Sequence, residues 1–426
     1  MKQHTRNRTA AALLAAGMLV IPLSACAAAE PESAELLVWL QASESGTSVG
    51  LDAQRELIAQ YQAEHPEITI VTEEYTQEQL GQTLTSALAS DSGPDVFYND
   101  VTPTREMFEA GLVADLTEYE AEFGWGDRIY PAGLAFTQLD GKTFGLGLEF
   151  EFVGVFWNDS LLADAGLEAP TDYESTLEFC QAASEAGYVA FAHSGNPGWQ
   201  HFFLFAMPLA STLGVDDERS LVLDGEGSWD QPAVVEAYQK AFVDMQAAGC
   251  FPQDVNGVTF DSAIQLFTSE RALGFPTGTW AIGPIDDAGM ENISMAPFPQ
   301  LGDNPAVYTV GMGSMWAVSA RSTQTAEAAG LIDFLMSEDA ASTWVNVAGF
   351  IPPLEAEQSS LTVSPLKKFA VETLAEASTD INSLGLNIDL YMPVEFNDLM
   401  SSGGQAVISG QKTPEQQATD LENVAR

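Results

Sequence analysis

Short apolar runs alternate with amphipathic segments between residues 35 and 98, and this alternation constrains the fold more than any other feature. The runs Glu35 to Leu40, Glu67 to Tyr75 and Asp95 to Tyr98 predict strands, because they are compact and largely apolar or alternating. Between them, Asp52 to Glu64 and Gln77 to Ser90 carry apolar side chains at helical spacing and predict helices. Because a β-α-β-α-β order runs successive strands in the same direction, the sequence predicts an α/β fold with a mostly parallel sheet.

The chain length and the strand ends together predict where a ligand binds. A chain of 426 residues exceeds what one hydrophobic core usually serves, so two lobes are expected. In sheets of this kind, ligands bind beyond the carboxyl ends of the strands. The candidate ligand contacts at the ends of the first and third strands are Gln41, Ser43, Glu44, Tyr98, Asn99 and Asp100. The alternative is that all six are solvated loop residues, and about half are expected to touch the ligand.

The N-terminus has the pattern of a secretion signal. A positively charged leader precedes the apolar stretch Ala10 to Leu23, which is too short for a comfortable transmembrane helix. The stretch runs into Leu-Ser-Ala-Cys ending at Cys26, which resembles the lipobox of bacterial lipoproteins, whose cysteine is lipidated and becomes the first residue after cleavage. We expect a signal peptide at 1–25, a lipidated Cys26 and a tether at 26–34. The alternative is a plain secretory signal with an incidental cysteine.

Acidic residues outnumber basic ones throughout the chain. Asp and Glu total 61 against 15 Lys and Arg, for a formal net charge of −46. The phosphates of nucleic acid need Lys and Arg to replace their counterions, so nucleic acid is excluded as a partner and a strongly anionic ligand is disfavoured. The acids are dispersed along the chain, which is typical of a solubilising surface.

The cysteine and histidine content limits the cofactors. If Cys26 carries lipid, Cys180 and Cys250 remain as a pair in an oxidising compartment. They form either a disulfide or two buried free thiols, and the sequence leaves both open. The four histidines lack metal-ligand spacing, so we expect no metal and no organic cofactor. A structural Ca2+ is left open by the many carboxylates.

From residue 140 onward, motifs follow one another in an order that is itself informative. They are Asp-Gly-Lys-Thr-Phe-Gly at 140–145, Val-Phe-Trp-Asn at 155–158, Ala-Gly-Leu at 165–167, Gly-Thr-Trp at 278–280, Gly-Phe-Ile-Pro-Pro at 349–353 and Ser-Gly-Gln-Lys-Thr-Pro-Glu at 409–415. The ordered set resembles the family 1 extracellular solute-binding proteins of bacterial ABC sugar importers, and it is similar to relatives of maltose-binding protein. Leu148 stands where that family commonly has Pro, and Glu270 where it commonly has Gly.

The resemblance implies a periplasmic-binding-protein-like fold, with two α/β lobes joined by crossovers and a ligand cleft between them. Placed on this sequence, the N-terminal lobe comprises 35–150 and 309–336, the C-terminal lobe comprises 151–308 and 337–426, and the crossovers lie near 149–153, near 308–313 and after Met336. The resemblance also implies capture of a mono- or oligosaccharide by lobe closure and delivery to the transmembrane subunits of an ABC permease. We expect a monomer without catalytic residues, held by its lipid on the extracellular face of the cell membrane.

Two tryptophans are candidate ligand contacts, because the C–H faces of sugars sit on aromatic rings. Trp280 closely follows Gly278 and matches the stacking tryptophan of the family, against the alternative of a core tryptophan. Trp199 lies with Asn196 in a loop rich in turn formers. It resembles a cleft-lining tryptophan in part of the family, against the alternative of a loop plug.

Three further candidates lie on or near the expected crossovers. Glu151 matches the spacing of a sugar-contacting acid, and Glu149, which shares its strand face, is the alternative. Gly313 serves either as a hinge or as a close backbone approach to the ligand. Asp389 belongs to a segment that contacts sugar in the resembled family, with a helix N-cap as the alternative.

Two other classes of protein compete with this reading. A secreted glycosidase needs two opposed carboxylates, and the abundance of acids means that counting cannot exclude such a pair. A sugar-sensing or adhesive module could use the same fold. No His-Glu-x-x-His zinc motif and no Walker loop occurs in the sequence. The identity of the sugar, its chain length and its linkage are not specified by these motifs.

Overall fold

The computed structural model describes residues 34–42, 49–90, 92–354, 364–377 and 381–425, without the side chains of 374–377. The expected signal peptide, Cys26, Ser43 and Glu44 lie outside the described residues. Within these ranges, no helix combines the length and the apolar character that crossing a bilayer requires.

Strands and helices alternate along most of the described chain. The strands are β1 (Ala34–Ala42), β2 (Ile68–Thr76), β3 (Val96–Asp100), β4 (Gln138–Leu139), β5 (Lys142–Thr143), β6 (Leu146–Gly147), β7 (Phe150–Asn158), β8 (Val189–Phe191), β9 (Ala272–Gly278), β10 (Ile293–Ala296), β11 (Thr309–Met312), β12 (Ser314–Val318) and β13 (Gly385–Leu386). The α-helices are α1 (Val49–Glu64), α2 (Gln77–Leu88), α3 (Val101–Glu109), α4 (Thr117–Phe123), α5 (Trp125–Arg128), α6 (Pro131–Phe136), α7 (Asp159–Ala165), α8 (Tyr173–Glu185), α9 (Trp199–Leu213), α10 (Val215–Leu223), α11 (Pro232–Tyr238), α12 (Met245–Ala247), α13 (Phe260–Thr268), α14 (Ile282–Asp287), α15 (Thr325–Leu335), α16 (Glu338–Thr343), α17 (Pro365–Ala377), α18 (Val394–Ile408) and α19 (Pro414–Ala425). Short 3-10 turns lie at Val255–Gly257, Thr279–Ala281, Ile381–Ser383 and Ile388–Leu390, and π-helical turns at Gln239–Asp244 and Trp344–Ala348.

Sheet A is built from the elements that the N-terminal sequence predicts. Its strand order is β2-β1-β3-β12-β6, and β1 pairs in parallel with both β2 and β3. The α2 helix begins with a capping box between Thr76 and Gln79 and buries Leu80, Leu84 and Leu88 against the sheet. The antiparallel strand β12, which lies between β3 and β6, makes the sheet mixed where a mostly parallel one was predicted.

Sheet B forms the second lobe around one central strand. Its order is β13-β11-β7-β9-β8, and β10 also pairs with β7. All nine residues of β7 are buried, and its sequence is almost continuously apolar, as a strand covered on both faces requires. The pairings of β7 with β9, β10 and β11 are antiparallel, so this sheet is mixed as well.

The chain passes between the sheets at two short connections. It leaves β6 of sheet A through Leu148 and Glu149 to enter β7 of sheet B, and it returns from β11 to β12 across Gly313. The expected assignment of 309–336 to the N-terminal lobe therefore needs correction, because β11 belongs to sheet B. We propose that this lobe boundary lies at Gly313.

The third passage comes later than expected. Trp344 is fully buried and packs in the core of the sheet A lobe with Leu57 of α1, although the sequence-based boundary placed everything after residue 336 in the C-terminal lobe. The α17 helix instead contacts β10, which pairs with β7 of sheet B. We propose that the chain returns to the C-terminal lobe after Ala348.

A disulfide joins Cys180 to Cys250 in the core of the sheet B lobe. The two Cα atoms are 4.7 Å apart, and both side chains are fully buried. Cys180 lies on α8, and the carbonyl of Cys250 accepts a hydrogen bond from the backbone N–H of Phe191 in β8. The bond therefore fixes a helix against an edge of the sheet. Of the two alternatives that the sequence left open, a disulfide or two free thiols, the structure shows the disulfide.

Glu270 adopts the backbone conformation that explains why related sequences commonly have glycine there. Its φ is +58°, in the left-handed region, just past the end of α13. We expect Glu270→Gly to raise the free energy of unfolding by about 0.5–1 kcal/mol, because the strain relieved exceeds the backbone entropy that glycine loses. Urea unfolding measures the difference. Glu78→Gly, in the first turn of α2, is the matched control and is expected to lose stability. Equal losses in both variants would contradict the interpretation.

Candidate functional site

Four carboxyl groups gather where the two sheets meet. They belong to Asp100 at the end of β3, Glu149 and Glu151 on the passage into β7, and Asp389 in the turn Ile388–Leu390. We call these four residues the acid cluster. Burial, followed by the charges of Glu149, Asp389 and Asp100, raises the pKa of Glu151 well above its ordinary value. The other three groups of the acid cluster therefore act on Glu151, although they come from distant parts of the chain.

The connection between β11 and β12 holds the acid cluster in place. The backbone N–H of Gly313 donates to the carbonyl of Glu149 at 3.0 Å, and Ser314 lies opposite Asp100 in the antiparallel pair. A Cβ at position 313 would overlap Oε1 of Glu151. The glycine is therefore required for the close approach of that carboxyl group to the crossover backbone.

Burial dominates the protonation of the cluster. Glu149 is 3% exposed, Glu151 is 9% exposed, and burial raises the pKa of Glu149 to about 8. Burial, followed by the charge of Asp100, raises the pKa of Asp389 to about 7. Burial also raises the pKa of Asp100, and the side-chain amide of Gln77, which donates to Asp100 at 2.8 Å, opposes this shift. Burial thus shifts each of these carboxyl groups towards its protonated form.

Asn387 belongs to this site, and the sequence did not single it out. Its side chain is 1% exposed, and its Nδ2 donates to Oε2 of Glu151 at 3.3 Å. Its Oδ1 has no hydrogen-bond partner among the described residues, and the same is true of Oε1 of Glu149 and Oδ1 of Asp389. The only sequence signal was its position two residues before Asp389.

An aromatic cluster lies beside the acid cluster. The hydroxyl of Thr279 accepts a hydrogen bond from the backbone N–H of Phe152, next to Glu151, so the turn that carries Trp280 sits at the same end of β7. The aromatic cluster consists of Trp199, Phe203, Phe260 and Trp280, with ring centroids 5.0 Å apart for Phe203 and Trp280, 6.0 Å for Trp199 and Trp280, and 4.9 Å for Trp199 and Phe260. Both tryptophans are half-buried, and Nε1 of Trp280 is buried without a partner among the described residues.

The remaining candidates at the strand ends differ in how enclosed they are. Gln41 is half-buried at the end of β1, where its backbone exchanges two 3.3 Å hydrogen bonds with the side chain of Gln54. Tyr98 is 4% exposed, and its hydroxyl donates to Oγ of Ser314 at 2.5 Å. Its ring therefore packs in the core of the first lobe, and only its hydroxyl reaches the crossover.

Asn99 and Asn196 form hydrogen bonds to residues outside the acid cluster. Asn99 is 8% exposed and donates to Oγ1 of Thr104 at 3.1 Å. Asn196 is exposed on the loop before α9, and its backbone N–H donates to the carbonyl of Val258. Of the predicted residues, the structure therefore brings together Asp100, Glu151, Gly313 and Asp389 as one group, and Trp199 and Trp280 as another.

The alternative of a helix cap at Asp389 is wrong. The turn that contains it begins after Asn387, and α18 begins after Pro393, so Asp389 occupies neither cap position. Instead, its carbonyl accepts a 2.6 Å hydrogen bond from Oγ1 of Thr102 on α3. Arg105 on the same helix donates to the carbonyl of Leu390 at 2.7 Å. A helix of the first lobe thus positions the segment that supplies Asp389.

A match along most of the chain identifies its family. Residues 56–370 match the bacterial extracellular solute-binding proteins. The chain belongs to this family. Its members are extracellular binding proteins, in agreement with the resemblance found in the motifs, and the two sheet-containing lobes are the fold of solved solute-binding proteins.

Individual relatives are distant. The chain is 26% identical over 260 residues to an uncharacterized ABC transporter extracellular-binding protein of Pyrococcus horikoshii, covering 58% of each chain. It is 22% identical to the multiple sugar-binding protein of Streptococcus mutans, over 74% of this chain and 76% of the relative. The solved structure of a chitin oligosaccharide binding protein superposes with a TM-score of 0.80 at 19% identity, covering 92% of this chain and 98% of that one. At that identity the superposition shows the fold alone.

The buried carboxyl groups make the stability of this solute-binding protein depend on pH. The pKa of Glu149 is 4.5 in an unfolded chain, and burial raises it to about 8 in the folded protein. Between these two values the folded state keeps a proton that the unfolded state releases. The free energy of unfolding is therefore expected to fall as pH rises from about 5 to 8, by roughly 3–5 kcal/mol for this group. Glu149→Gln is expected to flatten the decline, as measured by urea unfolding of the unliganded protein at several pH values. Glu118→Gln, which removes an exposed carboxylate, is the control, and a decline of unchanged steepness in Glu149→Gln would contradict the assignment.

Proposed function

We propose that this solute-binding protein is the ligand-capture component of a bacterial ABC importer. It binds a sugar or small oligosaccharide in the cleft between its two lobes and passes it, chemically unchanged, to the transmembrane subunits of a permease. The observation that carries the proposal is the pairing of buried carboxyl groups with half-buried tryptophans at the junction of the two sheets.

The chemistry of sugars matches this pairing. Hydroxyl groups need acceptors such as the carboxylates of Glu151 and Asp389, while the C–H faces of a sugar ring stack on aromatic side chains such as Trp280. A relative named for binding multiple sugars and a similar fold named for binding chitin oligosaccharide support the same ligand class.

The crossovers provide the mechanical part of the proposal. Glu149 and Gly313 sit on the connections between the sheets, and Glu151 lies at the start of β7, so a ligand held there contacts the segments that bend when the lobes close. The closed state is stabilised by a ligand that touches both lobes at once, and this is the state that a permease would recognise.

Attachment to the membrane is also proposed. A signal peptide at 1–25 and a lipidated Cys26 would hold the protein, as a monomer, on the extracellular face of the cell membrane through a tether at 26–34. Mass spectrometry of the protein from membranes tests this directly, because a lipid on an N-terminal Cys26 is expected. An unmodified Cys26 would show a plain secretory signal instead.

One sequence pattern favours an enzyme and requires a test. Residues 46–50 read Gly-Thr-Ser-Val-Gly, which meets the Gly-x-Ser-x-Gly spacing of a hydrolase nucleophile elbow. An elbow places its serine on a sharp turn directly after a strand, whereas β1 ends at Ala42, six residues before Ser48. Residues 43–48 lie outside the described residues, and the incubation described next tests for hydrolysis.

A labelled oligosaccharide panel tests the proposed function. Calorimetry is expected to identify at least one oligosaccharide that binds, and chromatography of the same mixture after prolonged incubation is expected to return it intact. Binding is expected to survive exhaustive chelation, since no metal is proposed. Hydrolysis products would contradict the proposal that the protein binds its ligand without changing it. The absence of binding across the panel would contradict the proposal that the ligand is a sugar.

A further inference from the structure

Among the buried polar atoms of the cleft, those without a hydrogen-bond partner are mostly of one kind. In the ionised form of the two carboxyl groups, Oε1 of Glu149, Oδ1 of Asp389 and Oδ1 of Asn387 are all acceptors, and none has a donor among the described residues. Glu149 and Asn387 are 3% and 1% exposed, so both side chains lie away from bulk solvent. An unsatisfied buried acceptor is costly, and the cost is removed when a ligand supplies the donor.

Basic side chains form no salt bridge with the acid cluster in the part of the chain that the structure describes. The ion pairs formed among the described residues include none with Asp100, Glu149, Glu151 or Asp389. The guanidinium of Arg105 donates to the carbonyls of Leu390 and Phe136 instead. Four buried carboxyl groups without a salt bridge favour a ligand that brings positive charge.

A sugar hydroxyl fits this set of atoms less well than an ammonium group does. A hydroxyl brings one donor and two acceptor lone pairs, so it satisfies one orphan oxygen and adds acceptors to a site already rich in them. An ammonium group brings three donors, no acceptor and a positive charge. Its three donors match the orphan oxygens in number, and its charge stabilises the ionised form of the cluster.

We propose that the ligand of this cleft is an amino sugar whose protonated amine binds among Glu149, Asn387 and Asp389. The inference rests on the proposed function and narrows its ligand class. The aromatic cluster, beside the same end of β7, then holds the sugar ring while the acid cluster holds the amine.

Matched pairs of ligands test the charge directly. Glucosamine oligomers of one to four units are compared by calorimetry with their fully N-acetylated counterparts and with glucose oligomers of equal length, and spermidine serves as an amine without a sugar. At least one glucosamine oligomer is expected to bind tenfold or more tightly than its acetylated partner at neutral pH. The advantage is expected to shrink as salt is raised, because it is electrostatic in origin. This arm uses the unaltered protein and does not depend on any variant.

Charge-removing variants locate the amine. Glu149→Gln and Glu151→Gln are expected to reduce the glucosamine advantage at least fivefold while changing the affinity for the acetylated oligomer less. Glu118→Gln, which removes one exposed carboxylate of the first lobe, is expected to leave the advantage unchanged. Thermal melting of each variant confirms that the measured protein is folded.

The outcomes separate the inference from the function beneath it. If acetylated or glucose oligomers bind as tightly as the amine forms, the preference for an amino sugar is wrong, while the proposed capture of a sugar is retained. If spermidine binds and no sugar does, both the amino sugar and sugar capture are wrong. If the preference for glucosamine persists undiminished in both Gln variants, the placement of the amine at the acid cluster is wrong.

Discussion

Trp280→Ala is expected to weaken sugar binding about thirtyfold, which corresponds to about 2 kcal/mol. The ring lies over Gly278, where a Cβ would overlap it, and it is half-buried beside Trp199 and Phe203. Stacking a sugar face on this ring would remove apolar area from water and place C–H groups over the negative π-face. Calorimetric titration of the variant with the best ligand of the oligosaccharide panel measures the loss.

Trp344→Ala is the matched control for this experiment. Trp344 is fully buried in the core of the other lobe, so its truncation is expected to cost about 3–5 kcal/mol of fold stability. Trp280→Ala is expected to lower the melting temperature by much less, although its contacts with Phe203 contribute something to packing. If Trp280→Ala melts as early as the control while its folded fraction binds normally, Trp280 is a core residue and has no stacking role.

Replacing both Cys180 and Cys250 by alanine is expected to lower the free energy of unfolding by about 4 kcal/mol. The bond closes a loop between residues 70 apart, and opening a loop of that length restores the entropy of the unfolded chain. Both sulfurs lie in the core, so the variant also leaves a small cavity. Urea unfolding of the double variant measures the loss, and the unaltered protein in reductant, which keeps both sulfur atoms, is expected to lose somewhat less.

A thiol titration decides whether the bond exists in solution. In the unfolded, unreduced Cys26→Ser variant, no free sulfhydryl is expected. Two free sulfhydryls would contradict the bond, and an unchanged stability of the double variant would show that the bond does not contribute to the fold.

Local patterns predicted the first lobe well, because its elements are defined by neighbouring residues. The helix expected from Asp52 begins at Val49, and the strand expected at Glu67 begins at Ile68, each within a few residues. The mixed character of sheet A could not be read in this way. It arises because β12 inserts beside β3, and Ser314 and Tyr98, which it brings together, are 216 residues apart in the chain. The same kind of long-range packing places Trp344 in the first lobe, which no local pattern indicated.

The candidate site was predictable where function follows from strand ends or motifs. The end of β3 directed attention to Asp100, and strand alternation put Glu149 and Glu151 on one face. All three belong to the acid cluster, and their contact with a ligand stays a prediction. The sequence favoured Glu151 on resemblance alone, and it had no means to see that Glu149 is equally enclosed. Asn387 was missed because its role depends on a hydrogen bond to a residue 236 positions away.

The residues around the acid cluster are far apart in the chain, so the cluster can form only late in synthesis. A chain is made from its N-terminus, and Glu151 reaches its partner Asn387 only after 236 further residues, just as Thr102 meets Asp389 only after 287. Every earlier fragment lacks part of the site, however well its own strands and helices have formed. If the acid cluster binds the ligand as proposed, the ligand cannot act as a template for the growing chain and stabilises only the finished molecule. A population of truncated chains would consequently titrate as non-binders and would not compete with the complete protein for scarce ligand.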